Sequence, residues 1–84
     1  LQQGQIIELC EQKKVLRVVI ERISLKKWYP IFIVNKEQEG EVNCSIRPEK
    51  SDELRTWADL RTLTEFLMQQ CNVKECLLKL ENHD

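Results

Sequence analysis

Apolar residues recur at three- and four-residue steps between Asp59 and Cys71, and this is the clearest periodic pattern in the chain. The residues on this side are Leu60, Leu63, Phe66, Leu67 and Cys71. Such spacing predicts an amphipathic helix with one apolar face. Asp59 stands at the N-cap position, and Asn72 follows the last turn, where a left-handed residue often ends a helix. Both ends of the helix are therefore predicted along with its buried face.

The rest of the chain is dominated by patterns that are typical of β-strands. The predicted strands are Val15–Ile23, Tyr29–Asn35, Glu41–Arg47, Leu54–Trp57 and, after the helix, Lys74–Glu81. Tyr29–Asn35 holds four consecutive large apolar residues, so we expect it to be central and covered on both faces. The element order is β-β-β-β-α-β. This order predicts an α+β fold, an antiparallel β-sheet with one long amphipathic helix on one face.

Residues 1–12 leave two alternatives open. Ile6, Leu9 and Cys10 fit one face of a short N-terminal helix, which is the interpretation we favour. The other interpretation is a strand that runs into a hairpin near Lys14.

The second face of the predicted sheet carries apolar residues that one helix cannot also cover. These candidate interface residues are Tyr29, Ile31, Ile33, Val15, Val19 and Ile23. Apolar patches of several hundred Å² are rarely left open in a monomer. Three coverings are considered: the chain's own N-terminal segment, the same face of a second subunit in a homodimer, or a ligand or partner protein.

Length and composition limit the class of protein. The 84 residues form one small domain over 1–84, with 42% hydrophobic and 32% charged residues, a globular composition. The longest run of large apolar residues, Ile31–Val34, is far shorter than the roughly 20 residues that a membrane-spanning helix needs. The N-terminus also lacks the order of a signal peptide, so we expect a cytoplasmic protein.

Charge suggests an alternative function. The net charge is −1, but residues 1–36 hold seven basic and three acidic residues, whereas residues 37–84 hold six basic and eleven acidic residues. Basic residues beside aromatic ones are typical of single-stranded nucleic-acid binding. The candidate nucleic-acid contacts are Lys13, Lys14, Arg17, Lys26, Lys27 and Trp28.

Candidate catalytic or cofactor chemistry is sparse. His83, the sole histidine, lies one residue from the C-terminus, and two glycines cannot build a phosphate-binding loop. We therefore expect no enzyme activity, no cofactor and no metal. Of the four cysteines, Cys44, Cys71 and Cys76 are expected in the core as thiols, with a Cys71–Cys76 disulfide or a zinc site as the alternatives.

Residues Arg55–Leu67 resemble a pattern near the C-termini of small proteins from bacterial plasmids and integrated mobile elements. The residues that carry this resemblance are Arg55, Trp57, Leu60, Leu63, Phe66 and Leu67. The resemblance implies a bacterial accessory protein and supplies no catalytic residue. Together with the apolar second face, it leads us to expect a non-enzymatic module that acts by self-association or protein binding. Nucleic-acid binding through the basic first strand is the alternative.

Overall fold

A sheet of four strands forms one layer of the described chain, and two helices form the other. The computed structural model describes residues 1–48 and 53–82. In chain order the elements are α1 (Gln3–Glu11), β1 (Val15–Ser24), β2 (Lys27–Lys36), β3 (Gly40–Cys44), α2 (Leu60–Gln70) and β4 (Leu77–Asn82). The predicted α+β class is confirmed.

The sheet has the order β3-β2-β1-β4, and it is mixed. β2 pairs antiparallel with both β1 and β3, but β4 pairs parallel with β1. The prediction of a purely antiparallel sheet is therefore wrong. The reason is the path of the chain through α2. The C-terminal end of α2 lies beside the start of β1, because Cys71 and Asn72 share a cleft with Val15. From that point β4 runs alongside β1 in the same direction.

The central position predicted for Tyr29–Asn35 is confirmed, because β2 lies between β1 and β3. Phe32 and Val34 point towards the helices and are fully buried. Ile31 and Ile33 alternate with them and point to the opposite face. Both faces of β2 are therefore occupied by large apolar side chains, as its sequence predicts.

The strand predicted at Leu54–Trp57 is wrong. Only Trp57 forms a bridge, in which its backbone N–H donates to the Trp28 carbonyl at 2.7 Å and its carbonyl accepts from the Trp28 N–H at 2.8 Å. The Trp57 ring is buried and lies 5.4 Å from the Phe66 ring, centre to centre. This segment therefore plugs the core beside α2 and does not extend the sheet.

α2 confirms the predicted helix to within one residue at each end. The Asp59 side chain accepts a hydrogen bond from the Arg61 backbone N–H at 2.9 Å, as an N-cap does. Asn72 has φ of 54°, the left-handed conformation that ends helices. Leu63 and Leu67 are buried against the sheet.

α1 confirms the helical interpretation of residues 1–12 but not the proposed covering of the second face. Ile6 is fully buried in the same core as Leu63 and Phe32, so α1 packs on the same side of the sheet as α2. A short turn with Lys13 at φ 58° leads directly from α1 into β1 and holds the helix on that side. The N-terminal segment therefore leaves the second face uncovered.

Within the described residues, neither helix has both the length and the apolar character that crossing a membrane requires. The cytoplasmic location stays a prediction.

Candidate association surface

The sheet face that points away from both helices carries a central group of apolar side chains. Register defines this face, because residues that pair across strands point to the same side of a sheet. Val19 pairs with Ile31, while the neighbouring pair Val18 and Phe32 lies in the core under the helices. We refer to the following residues as the open-face patch: Val19, Tyr29, Ile31, Ile33 and Leu77.

Two of the predicted interface residues do not join this patch. Val15 pairs with Val34 and packs against the core, because Leu16 is an extra residue that shifts the register of β1. One inserted residue moves every earlier side chain of a strand to the opposite face. Ile23 falls in a second register shift at the end of β1. The other predicted residues, Tyr29, Ile31, Ile33 and Val19, do lie on the open face.

Leu77 belongs to the patch, although the sequence reasoning did not select it. It pairs with Val19, and its neighbour Leu78 pairs with Ile20 on the helix side. In the predicted strand Lys74–Glu81, strict alternation puts Cys76, Leu78 and Leu80 on one face and therefore assigns Leu77 to the other. The signal was present, but it has meaning only once the parallel pairing with β1 is known.

Two ion pairs border the open-face patch. Arg17 Nη2 lies 3.2 Å from Glu41 Oε2, and this pair crosses β2 from β1 to β3 beside Ile33. Ile33 is only 9% exposed although no helix covers it. The aliphatic part of a long side chain such as Arg17 covers apolar surface in this way. The centre of the patch is thus apolar, and its border is charged.

The second ion pair joins β4 to β1. Lys79 Nζ lies 3.4 Å from Glu21 Oε1, and the Tyr29 hydroxyl donates to Glu21 Oε2 at 2.6 Å. Burial, the hydrogen bond to Glu21 and the negative charge of Glu21 together raise the pKa of Tyr29 to about 12, and burial has the largest effect. Within these two ion pairs the charges cancel, Arg17 against Glu41 and Lys79 against Glu21.

Three exposed leucines lie at the β4 edge of the sheet. Leu77, Leu78 and Leu80 are 59%, 39% and 62% exposed. Beside them an open cleft of about 200 Å³ separates α2 from the segment before β4. Its lining residues are Thr64, Leu67, Met68, Val73, Lys74, Glu75 and Cys76. The uncovered apolar surface therefore continues from the open face around this edge.

The predicted nucleic-acid contacts do not form one surface. Lys13 and Lys14 lie before β1, whereas Lys26 and Lys27 lie after it. β1 has 10 residues, so roughly 33 Å separate its ends at about 3.3 Å per residue. Arg17 is paired with Glu41.

Trp28, the aromatic residue of that predicted set, is not available for stacking on a base. It is buried, and the Arg22 guanidinium lies 5.4 Å from its ring centre. Nucleic-acid binding stays a prediction that this arrangement does not favour.

The cysteines are free thiols. Cys44 and Cys71 are buried as predicted, but Cys76 is exposed because β4 begins only at Leu77. Cys71 contacts Cys10 across the two helices, and burial, followed by the effects of Cys10, raises its pKa to about 12. Burial likewise raises the pKa of Cys10. These thiols are protonated at neutral pH and so are poor nucleophiles.

Among the residues that the structure describes, no three His, Cys, Asp or Glu side chains lie close enough to hold a metal ion. His83 lies outside the described residues.

Comparisons with family models, with curated proteins and with solved structures gave no match to this chain. The resemblance of Arg55–Leu67 to proteins of bacterial plasmids and mobile elements therefore stays a prediction.

Proposed function

We propose that this protein is a non-enzymatic association module that works by binding another protein chain, in the first place a second copy of itself. The observation that carries the proposal is the position of the helices. Both pack on one face of the sheet, so the apolar surface of the other face and of the β4 edge has no cover within the described chain. A small domain gains much of its stability from apolar burial, so such a surface favours a partner.

The make-up of this surface supports a protein partner. An apolar centre with a charged border is the usual anatomy of a protein–protein interface. Besides Lys27 at the start of β2, the open face carries charged side chains in two ion pairs, Arg17 with Glu41 and Lys79 with Glu21. Because the charges within each pair cancel, two copies can approach without strong repulsion, and a nucleic acid gains little attraction from the paired cations.

The test is the solution mass of the intact chain, measured by light scattering over a wide concentration series. The chain mass is 10.0 kDa, and we expect twice this value at high concentration. Leu77 belongs to both the open-face patch and the β4 edge, so Leu77→Lys should shift the equilibrium strongly towards the monomer. Leu25→Lys is the matched control, because Leu25 is 77% exposed in the β1–β2 turn, outside both surfaces. A wild-type chain that stays monomeric at every concentration would contradict the proposal.

A further inference from the structure

β4 has the residue pattern of an inner strand but lies at the edge of the sheet. It pairs with β1 on one side, and no described strand pairs with its other side. Leu77 points to the open face and Leu78 to the helix side, and both are exposed. Apolar residues on both faces are typical of strands with neighbours and cover on every side. Its outer backbone groups are also open to pairing.

The apolar surface extends from this strand onto α2. Met68 is 63% exposed and borders the cleft that ends at Cys76, next to β4. Leu16, also exposed, lies beside the segment before β4. A single extended peptide could pair with the strand but would leave Met68 bare. A folded partner with its own helix above its edge strand would cover both, and a second copy has that shape.

The area that a stable interface must bury also favours a second copy as the partner. Stable interfaces bury on the order of 800 Å² on each side, more than one short strand alone provides. β4 has six residues, so strand pairing needs added contacts. In a symmetric pair joined along β4, the exposed Met68 and Leu78 of each copy lie near the line where the two copies meet, which we call the seam. Each of these contacts is therefore made twice.

Charge also distinguishes this edge from the other one. The segment from Lys74 to Asn82 contains two lysines and two glutamates, so two such segments do not repel each other. Lys79 is held by Glu21 of its own sheet. At the β3 edge Glu41 is paired with Arg17, and the loop before β3 adds Glu37 and Glu39, which disfavours pairing of two β3 edges.

We propose that two copies of this chain pair through β4 in antiparallel orientation and so join their sheets into one continuous sheet. Two-fold symmetry about the seam requires the antiparallel orientation. The inference rests on the proposed function and specifies its geometry: the copies meet edge to edge, and the open faces of both lie side by side. The joined open face then offers a surface twice as wide.

The experiment compares an edge variant with a face variant by sedimentation equilibrium. Leu80→Lys places a charge on the edge, and we expect the dimer dissociation constant to rise at least about 30-fold, as for a central interface residue. Ile31→Thr alters the centre of the open face and keeps a β-branched side chain. It should change the dissociation constant less than about threefold, which is a smaller effect than the loss of one interface contact. Leu25→Lys should also leave it unchanged, and circular dichroism checks each fold.

Hydrogen exchange of the wild-type chain gives a second measurement that needs no variant. Amide protection in β4 should rise with protein concentration, while protection in β3 should stay constant. This result, with a weakened Leu80→Lys dimer, would support the β4 pairing.

The other outcomes separate the inference from the proposed function. If Ile31→Thr dissociates the dimer and Leu80→Lys does not, the copies meet face to face, so the β4 pairing is overturned while the proposed function stands. If the wild-type chain is monomeric at every concentration, both are overturned. Concentration-independent protection of β4 in a dimer would also overturn the β4 pairing.

Discussion

The two edges of the sheet differ in how well their unpaired backbone groups are protected from pairing with another strand. β3 has five residues, and its open-face side chains Glu41 and Asn43 are polar. Directly after β3, the Arg47 backbone N–H donates to the Leu1 carbonyl at 2.8 Å, and the Leu1 amino group donates to the Ser45 carbonyl at 3.1 Å. Shortness, charge and a covering segment are the usual ways in which proteins prevent edge pairing.

β4 is nearly as short, with six residues, and it carries Lys79 in an ion pair with Glu21, but no described strand pairs with its outer side. Its leucines are exposed, and the segment has no net charge. The two edges of one sheet therefore differ in the polarity and in the exposure of their side chains. We refer to the polar β3 edge as the guarded edge and to the apolar, exposed β4 edge as the open edge.

The largest effect should come from making the guarded edge resemble the open one. The double substitution Glu41→Leu and Asn43→Val removes the polar side chains of β3. With two apolar edges a chain can bind a neighbour on each side, so we expect assemblies that grow beyond a dimer as concentration rises.

Light scattering measures this growth. A variant with Glu37→Gln and Glu39→Gln is the control, because it reduces the acidic charge near β3 without adding apolar surface. A double variant of β3 that never exceeds the mass of a dimer would argue against the contrast between the edges.

A second prediction distinguishes a residue that stabilises the fold from a residue that stabilises the proposed association. Ile46 follows β3 and is 1% exposed, so Ile46→Ala should cost about 2–5 kcal/mol of unfolding free energy. Leu80→Ala, at the open edge, should cost the isolated chain no more than about 0.5 kcal/mol, as for other exposed positions.

Urea unfolding at low and high protein concentration measures both. The loss for Ile46→Ala should be the same at each concentration, whereas the loss for Leu80→Ala should grow with concentration, because the proposed dimer of the wild-type chain gains stability by mass action. Equal losses for the two variants at low concentration would contradict this assignment.

The smallest effect concerns Tyr29, which links the open face to the β4 side through Glu21. The folded pKa of Tyr29 is about 12, above its ordinary value of 10.0, so folding favours the protonated phenol. The stabilisation is fully present below pH 10 and is lost as pH rises through 12. As the pH rises from 10 to about 12, the unfolding free energy of the Tyr29→Phe variant should fall less than that of the wild type.

The chain has one tyrosine, so ultraviolet absorbance follows its titration directly. Glu21→Gln is the control and should lower the titration midpoint. A wild-type midpoint near the ordinary tyrosine value would show that Glu21 and burial do not act on Tyr29 as described.

Much of the fold could be predicted because its signals are local. The caps at Asp59 and Asn72 and the apolar run of β2 depend on neighbouring residues, and each is found where it was predicted. The strand at Leu54–Trp57 failed for the opposite reason. An aromatic residue with an apolar neighbour is equally compatible with a strand and with an irregular segment whose ring fills the core. Only the packing of Trp57 against Phe66 decides between the two.

The candidate surface was predicted in part. Tyr29, Ile31, Ile33 and Val19 share the open face because simple alternation holds through the middle of β1 and β2. Val15 was misplaced, because the extra residue at Leu16 carries no local signal such as glycine. The importance of the β4 edge was not predicted, since β4 becomes an edge only through its parallel pairing with β1.

The sequence alone determined the types of the strongly periodic elements β1, β2, β3, α2 and β4, the ends of α2 and the excess of apolar surface over what one helix can bury. These properties follow from periodicity and capping, which act over a few residues. The tertiary structure alone decided that α1 and α2 share one face of the sheet, and that β4 returns beside β1 at an open edge. Those choices depend on contacts between distant segments. They also determine which apolar residues remain for a partner.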